Sequence, residues 1–267
     1  MSSDDVTRDL DLQPEKPHSA RFWNYLLGGK DNFAADQELG ERMKRDWPEA
    51  VDIARASRAF LGRTVRHLAA ERGIRQFLDI GSGLPTADNT HEVAQRAAPD
   101  ARIVYVDHDP IVLVHARALL TSAREGATDF IDGDLNDPRT ILTRAARTLD
   151  LDRPVALMLL SVIGHVPDAS DAARLVRTYM DLLAPGSCLV LCTTISTPRA
   201  DAANETYAAS GTDPYITSTA EQMAAFADGL TIPPPGLAPI NRWFPEGATG
   251  PDIEQWGYVA YKAAARQ

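Results

Sequence analysis

After residue 73, short apolar runs alternate with amphipathic stretches along the chain. The apolar runs are typical of buried strands, and the stretches between them carry apolar residues at helical spacings. Alternating strands and helices predict right-handed crossovers and a parallel sheet with helices on both faces. The predicted strands are Gln76 to Ile80, Ile103 to Val106, Asp129 to Ile131, Val155 to Leu160 and Leu189 to Ile195, and the predicted helices are Thr90 to Ala98, Pro110 to Arg124, Pro138 to Leu149 and Ala169 to Leu183.

The two ends of the chain differ from this pattern. Residues 1–17 are polar and acidic, so we expect a disordered tail. Residues 18–72 follow a helical period that Gly28-Gly29 and Trp47-Pro48 divide into about three helices, and we expect these helices to be appended to one main domain of residues 73–267. Ile240 to Phe244 and Trp256 to Tyr261 follow each other without a helix between them, which predicts an antiparallel hairpin at the sheet edge.

Composition narrows the classes of partner. The 267 residues carry a formal net charge of -10, which disfavours a broad electrostatic interaction with nucleic acid or an anionic membrane surface. The first residues lack the pattern of a secretory signal, and no run of about 20 apolar residues occurs, so we expect a cytoplasmic protein.

The two cysteines, Cys188 and Cys192, lie on one predicted strand. Residues four apart on a strand are separated by about 13 Å, too far for a disulfide. We interpret both as core residues in a reducing compartment, and no further ligands are spaced for a metal site.

The strongest local motif is the turn after the first predicted strand. Gly81 and Gly83 allow a tight turn and a close approach by a ligand. A dinucleotide-binding turn would carry a third glycine where Thr86 stands, so a ligand without a phosphate is the better interpretation. An ordinary structural turn is the alternative.

Acidic residues follow the next two predicted strands. Asp107 can accept hydrogen bonds from both hydroxyls of a ribose, whereas Asp109 before Pro110 is interpreted as a helix cap. Asp134 can accept from an adenine amino group while Leu135 packs on the ring. A solvated acidic loop is the alternative for this second site.

The fourth predicted strand runs into Ser161 and His165. Ligands collect beyond the carboxyl ends of parallel strands, so this segment should line the cleft. His165 can orient an acceptor or remove its proton, and a purely structural histidine is the alternative.

Several segments together resemble the bacterial S-adenosyl methyltransferase family, first catalogued as a domain of unknown function. They are Ala20 to Phe33, Asp79 to Thr86, Asn89 with His91 to Ala94, and Val106 to Pro110. The resemblance extends from about residue 18 to the end of the chain. It implies a Rossmann-like class I methyltransferase fold, an α/β sheet of seven mostly parallel strands with an antiparallel last strand.

The resemblance also implies S-adenosyl-L-methionine as cofactor and an N-terminal helical cap of residues 18–72 that closes over it. Packing of a helix, a glycine cap and a second helix is the alternative role for the cap motif. The catalytic candidates are His165 and Tyr25. The cofactor-binding candidates are Arg21, Tyr25, Gly29, Asn32, Asp79, Gly81, Ser82, Gly83, Asp107, His108, Asp134, Leu135 and Ser161.

The predicted function is methyl transfer to a small-molecule acceptor. The sequence identifies neither the acceptor nor the oligomeric state of the protein. Two alternatives stay open: a noncatalytic protein that binds the cofactor as a sensor or docking module, and a nucleotide-dependent oxidoreductase, which Thr86 disfavours.

Overall fold

Seven strands form one sheet in the computed structural model, which describes residues 13–119, 122–247 and 250–264. The strand order is β3-β2-β1-β4-β5-β7-β6. The first five strands are parallel, and β7 is antiparallel to both of its neighbours. The strands are β1 Gln76–Ile80, β2 Arg102–Asp107, β3 Ala127–Asp132, β4 Ala156–Leu160, β5 Cys188–Thr194, β6 Ala238–Pro239 and β7 Gln255–Tyr261.

Nine α-helices surround this sheet among the described residues. They are α1 Ser19–Leu26, α2 Ala34–Asp46, α3 Ala50–Ala70, α4 Thr90–Ala97, α5 Pro110–Leu119, α6 Pro138–Ala145, α7 Ala169–Leu182, α8 Pro198–Ala209 and α9 Ala220–Phe226. The α/β fold predicted from the alternation is confirmed, and so is the antiparallel last strand.

The strand order reverses at β1, which pairs with β2 on one side and β4 on the other. Helices therefore leave the sheet on opposite faces at this point, and the carboxyl ends of the two strands diverge into a crevice. Every residue of β1 is buried because helices cover both faces of the central strands. The core thus fixes the position of the crevice.

The predicted strand Ile240 to Phe244 is wrong. Ile240–Arg242 forms a single 3₁₀ turn, and only Ala238–Pro239 pairs with β7. Ile240 and Trp243 are both fully buried, and a spacing of three places them on one side of a 3₁₀ turn. The Arg63 guanidinium donates to the carbonyls of both residues at 3.0 Å, so these carbonyls are satisfied by a side chain instead of by a neighbouring strand.

Two helices went unpredicted, and two predicted helices are shorter than expected. The buried face of α8 is Ala200, Ala203 and Tyr207, which gives little contrast between apolar and polar positions. Helix α5 is described as far as Leu119, and residues 122–124 are not helical; the predicted helix positions 120 and 121 lie outside the described residues. Helix α6 ends at Ala145, after which turns continue towards Leu149.

The cap does not have a core of its own. Phe22, Leu26 and Met43 of the first two helices pack with Tyr207 and Tyr215 from much later in the chain. The second half of α3 belongs to the main core instead. Although α3 ends close to the expected boundary at residue 72, apolar packing crosses that boundary in both directions.

A buried ion pair holds the first two helices together. Arg21 Nε donates to Asp36 Oδ2 at 2.9 Å, and both side chains are almost completely buried. Asp36 also accepts from the backbone N–H groups of His18 and Phe33, both at 2.8 Å. Arg21 Nη2 donates to the carbonyls of Gln13 and Lys16, so the last residues of the expected tail are attached to α1. Residues 1–12 lie outside the described residues.

We expect Asp36→Ala to lower the free energy of unfolding by about 3–5 kcal/mol, because it leaves the Arg21 charge buried without its carboxylate. Urea denaturation followed by circular dichroism measures this difference. Glu41→Gln is the matched control, since it removes an exposed carboxylate from the same helix and should leave stability nearly unchanged. Equal effects of the two substitutions would contradict the role of the buried pair.

Candidate functional site

A cavity of about 440 Å³ lies in the crevice. The turns that follow β1, β2, β3 and β4 form its floor, and helices α1 and α3 cover it. A segment after α8 completes the wall. Its lining includes His18, Trp23, Asn24 and Leu27 from the N-terminal segment, Ala54, Ser57, Arg58 and Leu61 from α3, Asp79, Ser82, Gly83, Asp107, His108, Asp134, Leu135, Ser161 and His165 from the sheet side, and Asp213, Pro214 and Ile216 from the segment after α8.

The two glycines of the turn after β1 serve different purposes. A β-carbon on Gly81 would lie 2.4 Å from Val162 Cγ2, so this glycine allows the turns after β1 and β4 to pack together. Gly83 has nothing within 4 Å of its missing β-carbon and has a φ of +65°. The open side of Gly83 therefore leaves room for a ligand, as does neighbouring Ser82.

Asp107 connects this turn to the end of β2. Its Oδ2 accepts from the Gly83 N–H at 2.8 Å, and its Oδ1 accepts from the Asp109 N–H at 3.1 Å. Burial raises the pKa of Asp107, and these two backbone donors oppose the shift. Each oxygen retains a lone pair, so the carboxylate can accept two further hydrogen bonds from a ligand. His108 lines the cavity beside it.

The turn after β3 brings Asp134 and Leu135 into the same cavity. Asp134 Oδ1 accepts from the backbone N–H of Asn136 at 2.9 Å and from its side-chain amide at 3.0 Å. The Tyr179 hydroxyl donates to the Leu135 carbonyl at 2.9 Å and fixes this turn over the core. Asp137 caps α6 by accepting from the Thr140 N–H at 3.1 Å.

Asp79 lies almost fully buried beneath the cavity. Thr90 donates its hydroxyl to Asp79 Oδ2 at 2.6 Å. Burial raises the pKa of Asp79 to about 6, against the opposing effects of this hydrogen bond and of the Arg58 charge. The carboxyl thus joins the end of β1 to the first turn of α4.

The structure fixes the tautomer of His165. Its Nδ1 lies 2.9 Å from the Pro214 carbonyl, and because a carbonyl can only accept, Nδ1 carries the proton. The Nε2 lone pair is then free to accept a proton or a hydrogen bond. Burial lowers the pKa of His165, and the Pro214 carbonyl and Asp213 oppose the shift. Gly164 makes room for the Tyr215 ring that packs edge-on against this imidazole.

Ser161 adopts a left-handed backbone conformation with a φ of +61°. Such strain in a residue with a β-carbon costs of order 1–3 kcal/mol and is concentrated at functional sites. Its Oγ accepts from Gln255 Nε2 at 2.8 Å, and the fully buried Gln255 also accepts from Thr194. Packing from β5 and β7 therefore holds Ser161 at the cavity.

The cap residues predicted to bind ligand lie on a different face of α1 from the cavity. Arg21 is paired with Asp36, and the Tyr25 hydroxyl donates to Glu41 at 2.5 Å on the protein surface. Neither side chain lines the cavity. The intervening residues Trp23 and Asn24 lie on the opposite side of the helix and line the cavity instead.

Gly29 and Asn32 likewise form a loop built around Asn24. Asn32 Nδ2 donates to Asn24 Oδ1 at 2.8 Å and to the Gly29 carbonyl at 3.0 Å. A β-carbon on Gly29 would lie 2.4 Å from the Asn24 amide, so glycine is required there. The cap motif thus positions Asn24 and its neighbours, and the structure does not bring Gly29 or Asn32 to the cavity.

Arg58 is a cavity residue that the sequence did not reveal. Its Nη2 donates to the carbonyls of Ala87 and Asp88 at 3.2 and 3.0 Å, and no carboxylate of the described residues forms an ion pair with it. Burial lowers the pKa of Arg58, although the charge of Asp79 opposes the shift. Several arginines lie along α3, and only the helix register relative to the cavity distinguishes this one.

His18 connects the cap to the loop after β2. Its Nδ1 lies 3.0 Å from Asp109 Oδ2, while Asp109 Oδ1 caps α5 by accepting from the Ile111 N–H at 2.8 Å. Burial opposes protonation of His18, but the hydrogen bond and charge of Asp109 outweigh it and raise the His18 pKa. Burial raises the pKa of Asp109, but His18 outweighs that effect and lowers it.

Comparison with known proteins agrees with this geometry. A family profile described as S-adenosyl methyltransferase matches residues 5–267. The chain belongs to the S-adenosyl methyltransferase family. It is therefore an S-adenosyl-L-methionine-dependent methyltransferase with a class I fold, as the resemblance predicts.

This methyltransferase is similar to several solved structures. A DUF574 family protein from Streptomyces avermitilis MA-4680 is 41% identical, with a TM-score of 0.89 and coverage of 93% of this chain and 98% of that chain. A methyltransferase candidate from Thermobifida fusca YX is 37% identical, with a TM-score of 0.86 and coverage of 93% and 96%. An O-methyltransferase family protein from Burkholderia thailandensis shares the fold at 16% identity, with a TM-score of 0.55 and coverage of 89% and 74%.

A search of curated proteins finds no match. Neither the oxidoreductase nor the noncatalytic sensor receives support from the family or the structures. Within the described ranges, no helix of the methyltransferase has the length and apolarity that crossing a bilayer requires, and no three His, Cys, Asp or Glu side chains cluster as metal ligands.

The His18–Asp109 pair should make the stability of the methyltransferase depend on pH. Because the folded-state pKa of His18 is raised, its stabilising contribution is complete below its ordinary value of 6.5 and is lost as the pH rises through the raised pKa. The lowered pKa of Asp109 keeps that carboxylate ionised down to acidic pH. Urea unfolding should therefore show a larger deficit for His18→Gln at about pH 5.5 than at about pH 8.5.

Asp109→Asn provides the control, because in that background His18→Gln should have the same effect at both pH values. A deficit that is independent of pH in the protein with Asp109 would contradict the assignment.

Proposed function

We propose that the cavity binds S-adenosyl-L-methionine with its adenosine over the ends of β2 and β3 and its methionine end beneath α3. The observation that carries the proposal is the Asp107 carboxylate, which Gly83 and Asp109 orient at the cavity while leaving acceptor capacity on both oxygens. When bound, this cofactor supplies a methyl group on a positively charged sulfur, already activated for in-line displacement. The protein has to align an acceptor behind that group.

The adenosine contacts follow from the strand ends. Asp107 accepts from the two ribose hydroxyls, and the open side of Gly83 admits the sugar. Asp134 retains a second carboxylate oxygen for the adenine amino group, with Leu135 against the ring. Ser82, His108 and Ser161 complete the surface around the cofactor.

Arg58 fits the carboxylate of the methionine end. The half-buried Arg58 guanidinium donates to two carbonyls and has further N–H donors, whose planar geometry matches a carboxylate. The neighbouring Asp79 carboxylate offers an acceptor for the ammonium group. The cavity therefore contains opposite charges for both ends of an amino acid.

His165 is our candidate base rather than Tyr25. The Pro214 carbonyl holds the imidazole in the tautomer whose Nε2 accepts, and the lowered pKa of His165 favours the neutral form at physiological pH. Tyr25 lies at the surface with Glu41. The contribution of Arg21, Gly29 and Asn32 is to position the cap.

The coverage of the cavity by α1 and α3 favours a small-molecule acceptor over a macromolecule. Residues 18–72 act as this cover, together with the segment after α8, on the domain of residues 73–267. Buried, unpaired Cys188 and Cys192 are consistent with work in the reducing cytoplasm of a bacterium.

Asp107→Ala should weaken binding of S-adenosyl-L-methionine by at least tenfold, about 1.4 kcal/mol, because two charge-assisted hydrogen bonds to the ribose are lost. Isothermal titration calorimetry measures the affinity. Asp152→Ala, at an exposed position outside the cavity, is the control and should bind like the unmodified protein. Unchanged affinity in Asp107→Ala would refute the ribose assignment.

Arg58→Met should weaken binding of S-adenosyl-L-methionine by about tenfold but leave binding of 5′-methylthioadenosine unchanged, because the latter lacks the carboxylate. Asp107→Ala, in contrast, should weaken both ligands. The control is Arg55→Met, which removes an exposed arginine from the same helix outside the cavity. Equal losses for the two ligands in Arg58→Met would exclude the proposed carboxylate contact.

A further inference from the structure

One group of cavity residues has no part in holding the proposed cofactor. It comprises His165, Asp213 and Ile216, together with Trp23 and Ser57 of the cap. We call this group the acceptor wall. With the adenosine over the ends of β2 and β3 and the methionine end beneath α3, the acceptor has to contact these side chains. Their polarity and charge therefore constrain the chemical class of the acceptor.

The polar atoms of the acceptor wall mostly accept hydrogen bonds. Neutral His165 offers the Nε2 lone pair, and the exposed Asp213 offers a carboxylate. No Lys or Arg of the described residues forms an ion pair with Asp213. A ligand that matches these groups has to bring hydrogen-bond donors of its own.

The Asp213 carboxylate and the His165 imidazole lie at the same end of the cavity. Asp213 directly precedes Pro214, whose carbonyl accepts from His165 Nδ1, and the charge of Asp213 acts on the imidazole. On the cap side, Ser57 Oγ is buried without a hydrogen-bond partner. It can accept a further N–H or donate to a ligand atom, so the cap also contributes an unsatisfied polar group.

The remaining surface of the acceptor wall is apolar. Trp23 of α1 lines the cavity, and Leu27 and Leu61 extend the apolar surface beside it. Ile216 is 43% exposed, an unusual position for a large aliphatic side chain on this protein. An apolar body in the cavity would cover it. Ring-sized hydrocarbon is the matching chemistry, since aromatic rings bury large apolar area with few rotatable bonds.

The charges of the cavity distinguish between anionic, neutral and cationic acceptors. Among the residues that the structure describes, four aspartates and one arginine line the cavity, and no lysine does. The proposed cofactor carboxylate occupies that arginine, so an anionic acceptor would meet Asp213 without a compensating cation. A neutral alcohol would leave the Asp213 charge unused. A protonated amine pairs with it directly.

We propose that the methyl acceptor is an amine carried on an apolar, ring-sized body. This inference rests on the proposed function of the cavity. The ammonium form binds Asp213 and transfers one proton to His165 Nε2, which exposes the nitrogen lone pair. That pair forms the new N–C bond as the C–S bond of the donor breaks, and the electrons of the broken bond remain on sulfur. One N–H proton thus ends on the imidazole.

The test compares three probes with the same aromatic ring: 2-phenylethylamine, 2-phenylethanol and 3-phenylpropanoate. Binding is measured by NMR titration of the full chain saturated with S-adenosylhomocysteine, whose own binding is first established by calorimetry. We expect the amine to bind about tenfold more tightly than the propanoate, with the alcohol between them, as a charge-assisted hydrogen bond predicts.

Asp213→Asn should reduce the affinity for the amine to that for the alcohol. Asp181→Asn removes the same charge from an exposed position on α7 and should preserve the preference, which controls for net charge. If S-adenosylhomocysteine binds but the propanoate binds as well as the amine, or Asp213→Asn leaves the preference intact, the amine proposal is overturned while the cofactor assignment stands. If S-adenosylhomocysteine does not bind, the proposed function itself fails.

Discussion

The contact between the turns after β1 and β4 is the constraint on which the site depends. These strands are neighbours at the point where the strand order reverses, and their turns can meet only because Gly81 has no β-carbon to collide with Val162. The contact aligns Gly83 with the end of β2, where Asp107 accepts its N–H. A larger residue at 81 would separate the two turns, and the cofactor and acceptor sides of the cavity would lose their common floor.

The cap and the strand ends contribute opposite charges to the cavity. Of the residues that the structure describes, Asp79, Asp107 and Asp134 at the strand ends line the cavity, and its one lining arginine, Arg58, comes from α3 of the cap. A ligand that carries both charges therefore bridges the two parts. The His18–Asp109 pair crosses the same junction on the side of α1.

The fold was largely predictable from sequence, whereas the cap side of the site was not. Strand β1 was predicted to the residue, and Gly83, Asp107, Asp134 and His165 meet in one cavity because carboxyl ends of parallel strands converge. For α1, the helical period defines the faces of the helix but does not show which face meets the sheet. The family motif therefore points to Arg21 and Tyr25, whereas Trp23 and Asn24 line the cavity. Asp213 lies in a segment without periodicity, and no local pattern could connect it to His165.

The shared core of the cap also determines when the protein can finish folding during synthesis. Phe22 packs against Tyr207, with ring centroids 5.3 Å apart, and Tyr215 belongs to the same cluster. On the ribosome, the first helices therefore emerge with an apolar face whose partners have not yet been translated. The sheet has to assemble before they are covered, so these helices leave the exit tunnel ahead of every strand but are among the last elements to reach their native contacts.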